Sequence, residues 1–220
     1  MTYTSFKKST FYEISKRTID IVLSLFLIIL FSPIFIIVAI LIKLESKGPI
    51  LADTPSRVGK NGKTFKMYKF RSMVQNAHHL LREDPRYAKL YGVYKKSSYK
   101  LREDPRITRV GKFIRKYSLD ELPQFFNVLN GEMSIAGPRA YYPDELEDQQ
   151  EKYPHTRGAV KIVLSVRPGI TGFWQVSGRS EINFDKRIEM DAAYVKKRSI
   201  LYDFWILSRT PWAMISGKGV

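Results

Sequence analysis

The longest apolar run of the chain covers residues 21–42, IVLSLFLIILFSPIFIIVAILI, and contains no charged side chain. A helix of this length can cross a bilayer. However, Ser32 and Pro33 lie near its middle, where proline removes a helical hydrogen bond and favours a kink. Basic residues also flank both ends, whereas a spanning helix carries its Lys/Arg bias on one side. The residues therefore leave two topologies open: a kinked single span, and a helix–break–helix that enters and leaves on the same face.

The polar part of the chain that follows predicts shorter elements. RVGKNGKTFKMYKFRSM, residues 57–73, has two short runs on either side of Asn61-Gly62, which predicts a β-hairpin. Residues 75–93 have the polarity of an exposed helix. The hexapeptide LREDPR occurs at residues 81–86 and again at 101–106, and Asp-Pro is typical of a helix end. Each copy is therefore interpreted as a helix stop.

The C-terminal part of the chain, residues 186–215, mixes basic and apolar residues with Tyr and Trp. This composition is typical of an amphipathic helix that lies in a membrane interface. A helix packed against a core, with its two tryptophans buried, is the equal alternative.

Charge is unevenly distributed along the 220 residues. The chain has 37 Lys+Arg and 21 Asp+Glu, a net charge of +16. Residues 57–116 contain 18 Lys+Arg and 4 Asp+Glu, so this block alone carries 18 − 4 = +14. Such a block favours an anionic partner: nucleic acid, anionic lipid or a phosphorylated substrate. The chain contains no cysteine, which excludes disulfides and thiolate chemistry.

One carboxylate pair stands out within this basic region, in RKYSLDELPQFFN, residues 115–127. Ser118 and Glu121 have the spacing of a capping box, and Asp120 would then complement the helix dipole. The alternative is a functional site. Near several cations and a helix N-terminus, Asp120 is expected to be ionised, as a nucleophile or metal ligand needs, and the same surroundings suit phosphate oxygens.

Other candidate chemistry is weaker. The chain has no GxxxxGK[ST] sequence and no HExxH sequence. His78 and His79 are adjacent, so their side chains diverge on a helix, and they are interpreted as surface histidines.

Three stretches resemble the bacterial sugar transferase family, the monotopic phosphoglycosyl transferases that act on polyprenyl phosphate. They are YKFRSM (68–73), DPRITRVGKFIRKYSLDELPQFFNVLNGEMSIAGPR (104–139) and RPGITGFWQVSGR (167–179). The likeness runs from the Ser-Pro-containing apolar segment to the C-terminal helix, as in a minimal short form of the family. Two departures are the run ILADTPSRVG at 50–59 and Ala140, where a proline is usual.

The resemblance implies a mostly α fold with a small β-hairpin. Residues 1–48 would form an N-terminal segment and a re-entrant membrane helix hairpin. Residues 49–220 would form a compact cytoplasmic catalytic domain with interfacial amphipathic helices. The implied location is the cytoplasmic face of the bacterial inner membrane.

The resemblance also implies a reaction. A sugar 1-phosphate would pass from a nucleoside diphosphate sugar, by family habit a UDP-sugar, to polyprenyl (undecaprenyl) phosphate. This would be a first membrane step in exopolysaccharide or lipopolysaccharide assembly. It implies Asp120 as nucleophile in a ping-pong mechanism, assisted by Glu121, with Mg²⁺ at Asp120 and membrane lipid and a second copy of the chain as partners.

The remaining residues implied by the resemblance bind substrate. The phosphate-binding set is Lys69, Arg71, Arg115 and Arg139, and a further substrate-binding set is Arg167, Gln175 and Arg179. Two alternatives stay open: a basic membrane-associated protein that binds nucleic acid, and an inactive scaffold for glycan assembly. The resemblance favours neither of them.

Overall fold

The computed structural model describes residues 9–97, 99, 101, 103–177 and 182–215, and in these the protein is mostly helical. The helices are α1 (Thr10–Glu45), α2 (Ala77–Glu83), α3 (Ala88–Lys96), α4 (Arg109–Lys116), α5 (Gln124–Leu129), α6 (Pro143–Lys152), α7 (Arg157–Val163), α8 (Phe173–Ser177), α9 (Phe184–Lys197) and α10 (Ile200–Ile215). The strands are β1 (Arg57–Val58), β2 (Thr64–Phe65), β3 (Ser134–Ala136) and β4 (Gly169–Thr171). The predicted fold class, mostly α with a small hairpin, is confirmed.

Helix α1 is long and apolar enough to cross a membrane, the one such helix among the described residues. It runs through Pro33 as a single helical element, so the expected break between two helices is not present in its secondary structure. Both halves of α1 contact the rest of the protein. Asp20 accepts hydrogen bonds from the Ile135 backbone (3.1 Å) and the Ser134 hydroxyl (2.7 Å), while Glu45 accepts one from the Val110 backbone (3.0 Å).

The two small sheets differ in how far the sequence predicted them. The β1–β2 hairpin forms as expected, with Asn61 in the left-handed region (φ 58°) and Gly62 at φ 77°. The second sheet pairs β3 with β4 in parallel and was not predicted from the sequence. These strands have three residues each and are separated by more than thirty, which is too little local signal for prediction.

The segment YKFRSM lies between two other segments and joins them by main-chain hydrogen bonds. On one side, the Arg71 N–H bonds to the Ile50 carbonyl (2.8 Å). On the other, the Phe70 N–H bonds to the Asp120 carbonyl (2.9 Å). Helix α4 packs directly on this segment at Gly111, where an added Cβ would lie 1.9 Å from the Ser72 carbonyl oxygen. A residue without a side chain is therefore required for this close approach.

The two LREDPR copies share one local geometry but differ in setting. Asp84 and Asp104 each accept a hydrogen bond from the backbone N–H of the arginine two residues later, and pair with its guanidinium. The first copy ends α2 at the surface, as predicted. The second copy precedes α4, and its Arg106 is buried and also donates to the Ala77 carbonyl (2.7 Å).

Candidate active site

The predicted carboxylate pair lies in a cavity of about 300 Å³, called here the Asp120 cavity. Its walls come from YKFRSM, the turn between α4 and α5, the loop after β3, and the α2–α3 region. All six residues predicted to act in catalysis or phosphate binding line it: Lys69, Arg71, Arg115, Asp120, Glu121 and Arg139. Tertiary packing therefore gathers residues up to 70 positions apart into one site.

The turn that presents the carboxylates is not the predicted capping box. Ser118 has a left-handed backbone (φ 54°, ψ 24°), and its side chain forms no capping hydrogen bond. A short 3₁₀ turn, Leu119–Glu121, follows instead of a full α-helix, which resumes only at Gln124. A non-glycine residue in this region costs on the order of 1 kcal/mol and is frequent at functional sites. Glu121 is consequently free to pair with another residue.

Lys69 is the cation closest to the pair. Its Nζ lies 2.7 Å from Glu121 Oε1 and 3.9 Å from Asp120 Oδ2. Burial would raise the pKa of Glu121, but the charge and hydrogen bond of Lys69, followed by the charges of Arg139 and Arg115, lower it. Glu121 is therefore an ionised partner of Lys69.

Asp120 is electrostatically different from its neighbour. It is buried, and this burial raises the pKa of Asp120 to about 6, although Lys69 and Arg115 oppose the rise. The nearby cations were expected to favour the charged form of Asp120 and so to lower its pKa. That expectation was wrong, because the loss of hydration outweighs the cations. At neutral pH most molecules still carry Asp120 as a carboxylate, poorly solvated and without the tight ion pair that Glu121 has.

Two of the predicted arginines add positive charge to the lining of the cavity. Arg115, in the last turn of α4, lines the cavity and its charge acts on both carboxylates. Arg139 lies in the loop after β3, and its guanidinium is 5.5 Å from the Trp174 ring and 5.9 Å from the Tyr141 ring. The Arg139 Nε is buried and has no hydrogen-bond partner among the described residues.

Arg71 lines the same cavity but is already engaged. Its two terminal nitrogens donate to the main-chain carbonyls of Lys47 (2.6 Å) and Ser46 (2.9 Å), just after α1. The side chain is buried and ties the end of the apolar helix to YKFRSM. The contacts thus favour a structural role over the predicted phosphate contact.

The structure does not bring Arg167 or Gln175, two residues of the second predicted set, into the Asp120 cavity. Arg167 donates through Nε to the Gly131 carbonyl (2.7 Å) and lines a different, smaller cavity. Gln175 donates to the Ile170 carbonyl (3.0 Å) and is not among the residues that line the Asp120 cavity. Arg167 and Gln175 flank β4, whose pairing with β3 their sequence did not reveal. Arg179 lies outside the described residues.

Several residues that line the cavity were not predicted from the sequence: Arg57, His78, Tyr94, Tyr99, Arg106 and Tyr142. The interpretation of His78 as a surface residue was wrong, whereas His79 is exposed as expected. The sequence signal available for Arg106 was the LREDPR repeat. However, nothing in the repeat itself distinguishes Arg106, which lines the cavity, from the exposed Arg86 of the first copy.

The chain matches a family of bacterial transferases along most of its length. The model for the family described as "Bacterial sugar transferase" matches residues 11–217. The chain belongs to this family, as the resemblance implied.

Three relatives illustrate the range of proteins that match. Exopolysaccharide production protein ExoY of Sinorhizobium fredii is 39% identical over 206 residues, which are 94% of this chain and 88% of ExoY. The undecaprenyl-phosphate galactose phosphotransferase of Salmonella typhimurium is 42% identical over 93% of this chain and 41% of its own. The UDP-glucose:undecaprenyl-phosphate glucose-1-phosphate transferase of Klebsiella pneumoniae is 38% identical over 89% of this chain and 39% of its own length. The chain thus spans about two fifths of the two longer proteins.

Proposed function

We propose that the protein transfers a sugar 1-phosphate from a UDP-sugar to undecaprenyl phosphate, with UMP as the second product. The observation that carries this proposal is the buried, partly desolvated carboxylate of Asp120 in a cation-lined cavity. The names of the Salmonella and Klebsiella relatives support the acceptor and the transferred group, and the name of the Klebsiella relative supports the UDP donor.

The chemistry that fits the cavity is a double displacement. An Asp120 carboxylate oxygen attacks the sugar-bearing phosphorus, a new O–P bond forms, and the bond to the UMP oxygen breaks. A phosphate oxygen of undecaprenyl phosphate then attacks the same phosphorus and releases the Asp120 carboxylate. The first step replaces the phosphoanhydride of the donor by an acyl phosphate on Asp120, and the second replaces that acyl phosphate by the phosphoanhydride of the lipid product. No other energy source is needed.

The surrounding residues have separate roles in this proposal. Arg139 and Arg115 bind the donor phosphates and reduce repulsion between the phosphorus group and the attacking carboxylate. Lys69 holds Glu121 at 2.7 Å and so keeps this second carboxylate ionised and fixed beside Asp120. The desolvation of Asp120 makes its carboxylate a better nucleophile than a hydrated one.

The site also fits the proposed Mg²⁺. Among the described residues no group of three or more His, Asp and Glu side chains gathers for a metal. Mg²⁺ usually needs less, since one or two carboxylates suffice when substrate phosphates and water complete its coordination. Asp120, with Glu121 adjacent, would hold it, and the ion would supply charge neutralisation of the diphosphate.

Membrane attachment is supported by apolar side chains that no described residue covers. Ile29, in the middle of α1, is 73% exposed, and Leu201 and Trp212 of α10 are 82% and 78% exposed. Trp212 thus favours the interfacial interpretation of α10 over the core-packed one. Because both halves of α1 bond to the same domain, we propose that the helix enters and leaves on the cytoplasmic face.

The topology can be tested in intact cells with single cysteines, since the chain has none. A cysteine at residue 5 and another at residue 60 should both resist a membrane-impermeant thiol reagent. Pro33→Ala removes the proline that interrupts the hydrogen-bond ladder of α1 and should expose residue 5. Labelling at residue 5 alone in the otherwise unchanged protein would establish a spanning helix.

The covalent mechanism is tested by leaving out the acceptor. With Mg²⁺ and a suitable UDP-sugar, the protein should release about one UMP per active site and gain the mass of a sugar phosphate on the Asp120 peptide. Asp120→Asn should give neither, and Glu121→Gln should still give the adduct, more slowly. Normal turnover without any adduct or burst would favour a single displacement.

A further inference from the structure

Part of the Asp120 cavity is lined by an aromatic wall, defined here as His78 of α2, Tyr94 of α3, Tyr99 just after α3 and Tyr142 just before α6. Its rings are in mutual contact. The Tyr94 and Tyr99 centroids are 5.1 Å apart, and His78 meets Tyr142 edge-on at 6.2 Å. These contacts make a continuous surface.

The wall is rigidly supported from behind. The Arg57 guanidinium lies 3.3 Å from the Tyr142 ring centroid and donates to the Ala140 carbonyl (3.1 Å). The Tyr99 hydroxyl donates to Asp148 on α6. The ring positions are therefore set before any ligand binds, as expected of a recognition surface.

Three polar groups of the wall, the His78 ring and the hydroxyls of Tyr94 and Tyr142, are open to a ligand, whereas the Tyr99 hydroxyl is bonded to Asp148. Burial, with the charges of Arg57 and Arg106, lowers the pKa of His78 to about 4, so its imidazole offers one donor and one acceptor. Burial also raises the pKa of Tyr94, which stays a phenol. Within the described residues, no hydrogen bond joins the His78 ring or the hydroxyls of Tyr94 and Tyr142 to another group.

The wall and the carboxylate pair are held by different contacts. Glu121 pairs with Lys69 (2.7 Å), and the Asp120 carbonyl accepts from the Phe70 N–H (2.9 Å). The wall instead packs on Arg57 through Tyr142 and bonds to Asp148 through Tyr99. Arg139 lines the same cavity three residues before Tyr142 of the wall, and its charge acts on Glu121 of the pair.

This arrangement matches the order of groups in a nucleotide sugar. The sugar is bonded directly to the phosphorus that Asp120 attacks, so it stays at the carboxylate end. The nucleoside is separated from that phosphorus by a second phosphate, for which Arg139 is the intervening cation. An uncharged ring beyond Arg139 is therefore the base rather than the sugar.

We propose that the aromatic wall is the subsite for the base of the donor nucleotide. Neutral His78 and the hydroxyls of Tyr94 and Tyr142 would bond to the edge of an uncharged pyrimidine such as uracil. This inference rests on the proposed function and adds to it the place where the base is selected.

The test measures binding without catalysis, by calorimetry on the full-length protein in lipid nanodiscs. The probes are UMP, which has the base and no sugar, and glucose 1-phosphate and galactose 1-phosphate, which have the sugar and no base. Tyr94→Phe and His78→Gln should each weaken UMP binding about tenfold, the effect of about 1.4 kcal/mol, and leave sugar 1-phosphate binding unchanged. Tyr91→Phe, on the same helix but outside the cavity lining, is the matched control and should bind UMP normally.

The possible results separate this inference from the proposed function. Weaker sugar 1-phosphate binding with unchanged UMP binding would assign the wall to the sugar and overturn the inference. Unchanged binding of both, or no UMP binding by the unaltered protein, would also overturn it. Tenfold weaker UMP binding in a protein that shows no lipid-linked transfer would support the base subsite while refuting the transferase reaction. Thermal unfolding of each variant identifies losses that come from misfolding.

Discussion

Asp191 is expected to hold Arg139 in place from behind the active site. It lies fully buried on α9, and its Oδ2 accepts hydrogen bonds from the Arg139 backbone N–H (3.0 Å) and the Tyr141 hydroxyl (3.2 Å). Asp191→Ala removes the acceptor for both donors. Asp191→Asn keeps a carbonyl oxygen at the same place and removes only the charge.

The size of the effect follows from those two contacts. A buried donor left without a partner costs about 1–3 kcal/mol, so Asp191→Ala should lower the free energy of unfolding by roughly 2–6 kcal/mol. The Arg139 main chain would also lose its anchor, and a displacement of about 1 Å in a substrate-positioning group can reduce the rate about 100-fold. Asp191→Asn should retain most of the free energy of unfolding and most of the reaction rate.

The assay compares thermal unfolding with the kcat and KM of lipid-linked sugar formation. A second substitution that restricts the loop containing Arg139 should restore part of the activity lost in Asp191→Ala. Ala140→Pro in the Asp191→Ala background is such a change, since proline fixes its own φ and limits Arg139 to extended conformations. An Asp191→Ala protein with unchanged stability and kcat would refute the positioning role. Equal losses in the Asn and Ala variants would show that the charge, not the hydrogen bonds, is required.

Asp191 also predicts a pH dependence of stability. Burial raises the pKa of Asp191 to about 7, although the Arg139 N–H, the Tyr141 hydroxyl and Arg187 oppose it. Below this pH the folded state keeps a proton that an unfolded aspartate has released, so stability should fall as pH rises towards 7 and level off above it. The fall attributable to this residue is on the order of 4 kcal/mol. In unfolding measurements between pH 5 and pH 8, the Asp191→Asn protein should lack this fall in stability. The same dependence of stability on pH in the variant and the unaltered protein would contradict the assignment of the fall to Asp191.

The other expected outcomes concern arginines and glycines. Arg139→Lys should reduce kcat/KM about tenfold or more, because a single ammonium cannot replace two parallel donors; full activity would remove Arg139 from the site. Arg71→Lys should instead lower the unfolding temperature more than kcat, since Arg71 bonds to main-chain carbonyls. Gly111→Ala should impair both stability and activity, because its Cβ would lie 1.9 Å from the Ser72 carbonyl oxygen. Gly158→Ala, in α7 with open space around it, is the matched control and should stabilise the protein by about 0.5–1 kcal/mol; equal behaviour of the two glycine variants would refute the close-packing argument.

The sequence by itself determined the local and linear features of this protein. The long apolar run, the Asn61-Gly62 hairpin and the polar helices could be predicted because their signals lie within a few adjacent residues. The motif around Asp120 and Glu121 was sufficient to identify the family and to single out these two carboxylates. It was not sufficient to predict whether their pKa values are raised or lowered, because the pKa of Asp120 depends on burial by segments far away in the chain.

Only the tertiary structure decided which cations face the carboxylates. Arg71 stood with Arg139 in the predicted phosphate-binding set, and Arg167 in the further substrate-binding set. Main-chain carbonyls accept from Arg71 and Arg167, whereas the Arg139 Nε has no hydrogen-bond partner among the described residues. Gln175 bonds to the Ile170 carbonyl outside the cavity lining, whereas His78 of α2 lines the cavity. Such outcomes depend on contacts between residues tens of positions apart, for which a single sequence carries no periodic signal, whereas helices and hairpins are fixed by neighbours.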